Sequence, residues 1–242
     1  MAQPLVLVHP DAATTATMIA GRLLASVQEA VALRGEAHVA LTGGSMGSAL
    51  VAALADHRAV DVVDWSRVHV WWGDERWLPL GDPDRNDTQN DSAGLDRLPL
   101  DPARVHRVPG PDTSESPEAA AIAYERALRV DGGGAWDVVL LGVGPDGHVA
   151  SLFPGHPAAL RDDALAIAVH DSPKPPPTRV SLTLGCLARS REVWFVVAGA
   201  DKAEAVAKGV SGAPAQESTA AQLQALGRTL WLVDEAAASR LA

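Results

Sequence analysis

Short hydrophobic runs recur along the chain, and each of them ends near a glycine, an aspartate or a proline. Runs of this length that are rich in Val, Leu and Ile are typical of buried strands. The sequence predicts seven such strands, in the segments PLVLVHP, HVALTGG, RVHVWWGDE, AWDVVLLGVG, ALAIAVHD, REVWFVVAG and TLWLVDE.

Between several of these runs, apolar residues recur at three- and four-residue spacing, which predicts helices. The predicted helices are Ala12–Arg34, Ser45–Ala55, Pro117–Arg129, Ala200–Lys208 and Glu235–Leu241. Strands that alternate with helices form a mainly parallel sheet with helices on both faces. The predicted fold class is therefore α/β, with a doubly wound, Rossmann-like sheet, and the ligand is expected outside the carboxyl ends of the strands.

Composition restricts the class of protein further. The 242 residues suffice for one core, and they contain neither an internal repeat nor a long linker, so we expect a single domain over residues 1–242. The opening segment has no basic start and only a short apolar run, so we expect no signal peptide and no membrane span, and a cytoplasmic protein. Cys186 is the only cysteine, which excludes an intrachain disulfide and a cysteine-based structural zinc site.

The formal net charge of −10 disfavours nucleic acid as a partner, because a nucleic-acid binder needs a basic face. An acidic chain that binds an anionic metabolite must gather its few cations at one place. Lys174, Lys202 and Lys208 are the only lysines, so their positions are informative. The oligomeric state stays open at this stage, and we favour a monomer.

A glycine-rich turn follows the second predicted strand, in the segment Leu41–Ser48. Gly43 and Gly44 let an anion approach the backbone, and the free N–H groups of the following helix attract it. Thr42 and Ser45 add hydroxyl donors, so phosphate is the expected ligand. The segment lacks the Gly-Lys-Ser/Thr ending of a nucleotide-binding P-loop. A strand-to-helix turn with a serine cap is an equally good interpretation of this segment alone.

The third predicted strand runs into Asp74, Glu75 and Arg76, which are flanked by tryptophans. Such a cluster can orient sugar hydroxyls and pair with phosphate, since arginine offers a planar fork of donors. A surface ion-pair turn is the alternative. Four further acids follow in a polar segment that we interpret as a solvated loop, because it lacks the terminal glutamate of an EF-hand. These acids are Asp82, Asp84, Asp87 and Asp91.

The sharpest motif is GVGPDGHVASLFPG, which follows the fourth predicted strand. Its three glycines match the dinucleotide fingerprint, but Pro145 removes a donor N–H and Pro154 leaves no room for the required helix. The motif also places His148 among glycines and beside Asp146. A carboxylate that fixes the tautomer of an imidazole makes that imidazole a general base. We therefore predict that His148 is catalytic, and not a structural histidine.

Two cations complete the set of site residues. Lys202 lies in the first turn of a predicted helix, where a positive charge is unfavourable unless an anion binds nearby. Lys202 is thus a candidate phosphate ligand. Arg179 follows a run of prolines and precedes the segment VSLTLGCL, for which both helix and strand stay open. A solvent-exposed arginine is the alternative for Arg179.

Taken together, these motifs resemble the 6-phosphogluconolactonase family, within the group that also includes glucosamine-6-phosphate deaminases. The matching segments occur in the family's order and span most of the chain: LTGGS, WWGDERWLP, LLGVGPDGHVASLFPG, RVSLT and VVAGADKAEAV. The resemblance implies hydrolysis of 6-phospho-D-glucono-1,5-lactone to 6-phospho-D-gluconate in the oxidative pentose phosphate pathway. It implies no metal and no organic cofactor.

The resemblance also assigns roles to single residues. His148 matches the general base and Asp146 its neighbour. The expected substrate-binding residues are Thr42, Gly43, Gly44, Ser45, Asp74, Arg76, Arg179 and Lys202. The expected partner is a small phosphorylated sugar lactone, with no membrane and no nucleic acid.

Two other functions remain open. A glucosamine-6-phosphate deaminase places a histidine after a similar turn, but its loop continues into a segment with an acid, whereas here the continuation is Ala150–Gly155. A non-catalytic sugar-phosphate sensor carries a separate DNA-binding head, for which there is no room before the first predicted strand.

Overall fold

Nine strands in two sheets are present in the computed structural model, which describes residues 4–132 and 134–241. The strands are β1 (Leu5–His9), β2 (Ala37–Leu41), β3 (Val68–Trp72), β4 (Asp74–Arg76), β5 (Val138–Leu141), β6 (Ala166–Val169), β7 (Arg179–Leu182), β8 (Glu192–Val197) and β9 (Arg228–Asp234). Six of them form a parallel sheet in the order β1-β9-β8-β5-β2-β3. The other three form an antiparallel sheet in the order β4-β7-β6.

Seven α-helices connect these strands in the described residues, together with several short 3-10 turns. The helices are α1 (Ala12–Arg34), α2 (Gly44–Ala55), α3 (Asn86–Ala93), α4 (Pro117–Val130), α5 (Leu184–Leu187), α6 (Ala203–Ser211) and α7 (Glu235–Ala238). Most begin with a side-chain cap: Asp11 caps α1, Ser116 caps α4 and Thr183 caps α5. The segment VSLTLGCL thus contains both a strand and a helix, because Thr183 ends β7 and starts α5.

The parallel sheet separates two hydrophobic clusters, as a doubly wound sheet requires. Val39 and Leu41 of β2 point into one cluster, and Ala40 between them points into the other. Every residue of β2 and β3 is buried, which is typical of strands covered on both faces. Tyr124 of α4 fixes one layer to the sheet, since its hydroxyl accepts from the Trp72 N–H (2.9 Å) and donates to the Trp72 carbonyl (3.0 Å). The predicted α/β fold class is confirmed.

The helix α1 is long and apolar enough to cross a membrane by length and composition. Its inner residues, among them Ile19, Leu23 and Val27, are buried against α2 and the sheet. The apolar character of α1 is therefore accounted for by the core of this fold.

The two sheets meet at Gly73, which separates β3 of the parallel sheet from β4 of the antiparallel sheet. The segment ALAIAVHD contains β6 and therefore belongs to this second sheet, which the sequence analysis did not separate from the first. The register pairs Asp74 with Ser181 and Arg76 with Arg179. This pairing brings two of the sequence motifs side by side.

Candidate active site

A cavity of about 280 Å³ opens at the carboxyl ends of the parallel strands. Its wall contains the segments that follow β2, β5 and β8, together with residues of β4, β7 and the proline-rich loop before β7. Nine of the ten predicted site residues line it: Thr42, Gly43, Gly44, Ser45, Asp74, Arg76, His148, Arg179 and Lys202. The tenth, Asp146, contacts His148 directly.

The glycine-rich turn leaves the amino end of α2 open to this cavity. Gly43 occupies the cap position without a side-chain hydrogen bond, so the serine-capped turn that we considered does not form. Gly44 has φ of +75°, which favours glycine. A Cβ atom on Gly43 would lie 1.8 Å from Oδ1 of Asn86. The Gly44 N–H donates to Gln89 Oε1 at 3.4 Å, and the remaining N–H groups at the amino end of α2 can bind an anion in the cavity.

His148 and Asp146 form a close pair at the wall of the cavity. His148 Nδ1 lies 2.6 Å from Asp146 Oδ1, which assigns the hydrogen to Nδ1 and leaves Nε2 as a proton acceptor. The ring packs against Phe153, with 4.4 Å between centroids. A Cβ atom on Gly144 would lie 2.1 Å from the imidazole, so the ring needs glycine there.

The charge of Asp146 is also fixed by this contact. Partial burial raises the pKa of Asp146, but the hydrogen bond and charge of His148 and the charge of Lys174 outweigh it and lower the pKa to about 2. The carboxylate is therefore negative throughout the neutral range. It is able to stabilise an imidazolium when His148 takes up a proton.

The loop that carries this pair is held by distant segments. Gly147 has φ of +82°, and its carbonyl accepts from the Ala220 N–H at 3.1 Å. Thr219 Oγ1 accepts from the Val149 N–H and donates to the Leu152 carbonyl. Turns follow Gly147 instead of a helix, so the dinucleotide fingerprint does not form, as predicted.

Asp74 has a role within the wall of the cavity. Its buried carboxylate accepts a 2.5 Å hydrogen bond from Ser151 Oγ, and it lies 3.8 Å from Nη1 of Arg179. Asn86 donates to the Asp74 carbonyl at 2.8 Å. Sequence reasoning did not single out Ser151 within the motif GVGPDGHVASLFPG, and it missed Asn86, which lies in a polar segment without a recognisable motif.

Arg179 is buried, and most of its N–H groups donate to carbonyl oxygens of a neighbouring loop. It donates to the carbonyl oxygens of Lys174 (3.1 Å), Pro175 (3.2 Å) and Pro176 (3.1 Å). Burial lowers the pKa of Arg179, although the nearby Asp74 carboxylate opposes this. Arg179 thus fixes the loop that brings Lys174 to the cavity.

Three further cations belong to the same wall. Lys174 Nζ lies 3.6 Å from Asp146, and Lys202 Nζ lies 3.7 Å from the exposed Asp201. Arg76 donates to the Asp84 carbonyl, and its Nε is buried without a partner in the described chain. Lys208 instead pairs with two glutamates on the surface and does not line the cavity.

The interpretation of the polar segment after β4 as a solvated loop holds for Asp82 and Asp84, which lie among turns, but is wrong for Asp87 and Asp91. Residues 86–93 form α3, and Asp87 is buried in a bidentate ion pair with the buried Arg85, at 2.9 and 2.8 Å. Glu75, also fully buried, accepts from the backbone N–H groups of Asn86 and Asp87 at the start of α3. This ionic cluster fixes α3, and with it Asn86, against the glycine-rich turn.

Comparisons with known proteins identify the family of this chain. The family model for glucosamine-6-phosphate isomerases/6-phosphogluconolactonase matches residues 10–231. A 6-phosphogluconolactonase of Streptomyces coelicolor is 50% identical over 247 residues, covering 98% of this chain and 95% of the relative. A 6-phosphogluconolactonase of Mycobacterium leprae is 42% identical over 241 residues and 97% of both chains. The crystal structure of a devB protein has a TM-score of 0.85 at 30% identity and covers 99% of this chain and 100% of its own. This chain belongs to the glucosamine-6-phosphate isomerase/6-phosphogluconolactonase family.

Proposed function

We propose that this chain is a 6-phosphogluconolactonase, which hydrolyses 6-phospho-D-glucono-1,5-lactone to 6-phospho-D-gluconate in the oxidative pentose phosphate pathway. The observation that carries the proposal is the His148–Asp146 pair at the wall of a cavity lined by glycines and cations. The names of relatives that match nearly the whole chain support the same reaction.

In the proposed mechanism, Nε2 of His148 removes a proton from water, and the water oxygen bonds to the lactone carbonyl carbon. Asp146 stabilises the imidazolium that forms. The bond from that carbon to the ring oxygen then breaks, and the ring oxygen takes up the proton held by His148. The product acid loses a proton to solvent, so one acid equivalent is released in each turnover.

Substrate orientation is the second contribution of the site. The open amino end of α2 and the guanidinium of Arg76 provide donors for a phosphate, and Lys202 adds a positive charge. A phosphate held at one end of the cavity orients the ring at the other, which lowers the entropy cost of reaching the transition state. A lactone is an activated ester, so a base and good orientation suffice for its hydrolysis.

The deaminase is the nearest rival, and the composition of the cavity argues against it. Ring opening and amine loss require an acid near the sugar ring. Asp74 is the one carboxylate among the described residues that line the cavity, and it is already hydrogen-bonded to Ser151 and faces Arg179. Nucleophilic catalysis by cysteine is also disfavoured, because Cys186 is buried and burial raises the pKa of its thiol to about 12.

The proposal also covers the oligomeric state, the location and the partners of the protein. For the oligomeric state, we favour a monomer. The substrate is a small anionic metabolite, which favours a cytoplasmic location, with neither nucleic acid nor membrane as partner.

The test is proton release in weakly buffered solution, after glucose 6-phosphate has been freshly oxidised to its lactone. We expect the protein to accelerate proton release well above the spontaneous rate. Ammonia release from glucosamine 6-phosphate is measured in parallel. Folded protein that accelerates neither reaction contradicts both enzymatic functions, and ammonia release alone would favour the deaminase.

A further inference from the structure

Lys174 stands out among the cavity residues because no motif pointed to it and the proposed mechanism does not use it. It lies in the proline-rich loop between β6 and β7, and its side chain reaches the cavity. Its Nζ is 3.6 Å from Asp146 Oδ1, the same oxygen that contacts His148 Nδ1 at 2.6 Å. The ammonium group therefore lies close to the His148–Asp146 pair and lines the same cavity as His148, in which the scissile carbonyl must bind.

The backbone of Lys174 is fixed on several sides. Its carbonyl accepts from Arg179 Nη2 at 3.1 Å and from Ser172 Oγ at 3.0 Å, and the three prolines that follow restrict the chain. Arg179 is fixed in turn, through Nη1, by Ser151 at 3.4 Å and by Asp74 at 3.8 Å. These contacts fix the point from which the Lys174 side chain extends into the cavity.

Arg179 and Lys174 thus have different roles. The donors of Arg179 are engaged by three loop carbonyls and by Ser151, which makes it a positioning residue. The ammonium of Lys174 has one anionic neighbour, Asp146, within the described chain, and that carboxylate also serves His148. Burial lowers the pKa of Lys174, and Asp146 partly opposes this, whereas the charge of Lys202 lowers it further. An additional anion beside Lys174 would relieve this unfavourable environment.

Hydrolysis creates such an anion within this cavity. The carbonyl oxygen becomes an alkoxide when the water oxygen bonds to the carbonyl carbon, and it ends as part of a carboxylate. We infer that Lys174 binds this developing oxyanion and the carboxylate of the product, while the phosphate is bound by the glycine-rich turn and Arg76. This inference rests on the proposed lactonase function.

The test compares two ligands that share a phosphate and differ only at the reacting carbon. 6-Phospho-D-gluconate carries the carboxylate, whereas D-glucitol 6-phosphate has an alcohol in its place. In Lys174→Met we expect the affinity for 6-phospho-D-gluconate to fall about tenfold and that for D-glucitol 6-phosphate to change less than twofold, by calorimetry. We also expect kcat to fall about 10²-fold, the usual order for loss of one oxyanion donor.

Two further variants make the result specific. Lys174→Arg restores the charge and should recover most of the affinity for 6-phospho-D-gluconate. Lys208→Met, which removes a surface lysine, should match the wild type in both titrations. Equal weakening of both ligands in Lys174→Met would make Lys174 a phosphate contact and overturn the inference. Unchanged affinity with a shifted pH profile of kcat would make it a partner of Asp146 alone and would also overturn it.

Failure of the proposed function gives a different pattern. In that case the wild-type protein itself neither hydrolyses the lactone nor binds 6-phospho-D-gluconate. If the wild type does both, only the contrast between the two ligands in Lys174→Met decides the role of Lys174.

Discussion

Two clusters of titratable side chains lie at opposite ends of the parallel strands. At the carboxyl ends, His148 and Asp146 lie against the open cavity. At the amino ends, three histidines form a second group with Glu36 and Arg104, here called the amino-end cluster. Its histidines are His38, His69 and His106.

The side chains of the amino-end cluster mainly contact one another, and His38 Nδ1 is buried without a partner in the described chain. His38 and His69 are register partners in β2 and β3, and their rings stack at 4.4 Å. His69 Nδ1 lies 2.9 Å from His106 Nε2, and Arg104 contacts both His69 and Glu36. Donor atoms of Glu36, His38 and His69 lie within 4.8 Å of one another, as in many metal sites. A metal ion there would have to displace Arg104 and tilt the stacked rings, so we assign this cluster a structural role.

The difference between the two ends shows what marks a site in this fold. The amino-end cluster has three histidines and the carboxyl end has one, so the number of titratable groups does not mark the site. The carboxyl end differs in its glycines, which open the backbone to a ligand, and in cations that face empty space. Four predictions test this contrast, and they are given in order of decreasing expected change in free energy.

The largest difference is expected when one histidine at each end of the parallel strands is replaced by glutamine. His148→Gln removes the proposed base and should lower kcat/KM about 10³-fold, equivalent to about 4 kcal/mol. His69→Gln should change kcat/KM less than twofold, because the amino-end cluster does not touch the cavity. Steady-state lactone hydrolysis measures both variants. Near-normal turnover of folded His148→Gln would remove His148 from the mechanism.

The second effect is a pH dependence of stability at the amino end. Burial and the charges of His38, Arg104 and His106 lower the pKa of His69 from 6.5 to about 4, although Glu36 opposes this. The unfolded chain therefore binds a proton between about pH 6.5 and 4 that the folded chain excludes, so stability falls as the solution is acidified. For His69 alone, acidification lowers the free energy of unfolding by up to about 3 kcal/mol.

Denaturant unfolding at a series of pH values measures this slope. His69→Gln should flatten it in part, because burial also lowers the pKa of the neighbouring His106, although Asp131 opposes this. Equal slopes in wild type and His69→Gln between pH 7 and 4 would contradict the assignment.

The third effect concerns the charge beside the proposed base. Asp146→Asn keeps an acceptor for His148 Nδ1 but removes the negative charge, so the imidazolium is less stabilised. We expect kcat to fall about 30-fold, or about 2 kcal/mol. Asp163→Asn, at an exposed ion pair with Arg161, is the matched control and should be neutral. A kcat of Asp146→Asn equal to that of the control would refute a catalytic role for the charge.

The smallest effect is expected at the glycine-rich turn. Gly43→Ala places a methyl group 1.8 Å from Asn86 Oδ1, so the turn or Asn86 must move. We expect KM for the lactone to rise about tenfold, or about 1.4 kcal/mol, since the phosphate loses its backbone donors. Gly185→Ala in α5 is the control, because its methyl group meets no atom within 4 Å. An unchanged KM in Gly43→Ala would place phosphate binding elsewhere.

The sequence predicted most of the parallel sheet and its helices, because their hydrophobic patterns are long and local. The bounds predicted for α1 were correct, and those of α2 and α4 differed by one residue at one end. The helix α3 was missed because its sequence, NDTQNDSA, is polar throughout. Its formation depends on the buried Glu75 and Arg85, which come from neighbouring segments and show no periodic pattern.

The residues of the candidate site were likewise predicted only in part. Residues in glycine-rich motifs, such as Gly43 and His148, were identified because the motif itself implies the chemistry. Ser151 and Lys174 were not identified as site residues. Ser151 is placed by its contact with Asp74, which is far away in the sequence, and Lys174 by a contact of its backbone with the nearby Arg179. The antiparallel pairing of β4 with β7 brings these residues together.

The cavity is a small positive region on a strongly acidic protein. Four cations and one carboxylate line it within the described chain, whereas the protein as a whole carries a formal charge of −10. Hydrolysis of the lactone adds a carboxylate, so the product leaves with more negative charge than the substrate brought. The cations that capture the substrate therefore delay the departure of the product, and dissolved salt slows the first step while it speeds the second.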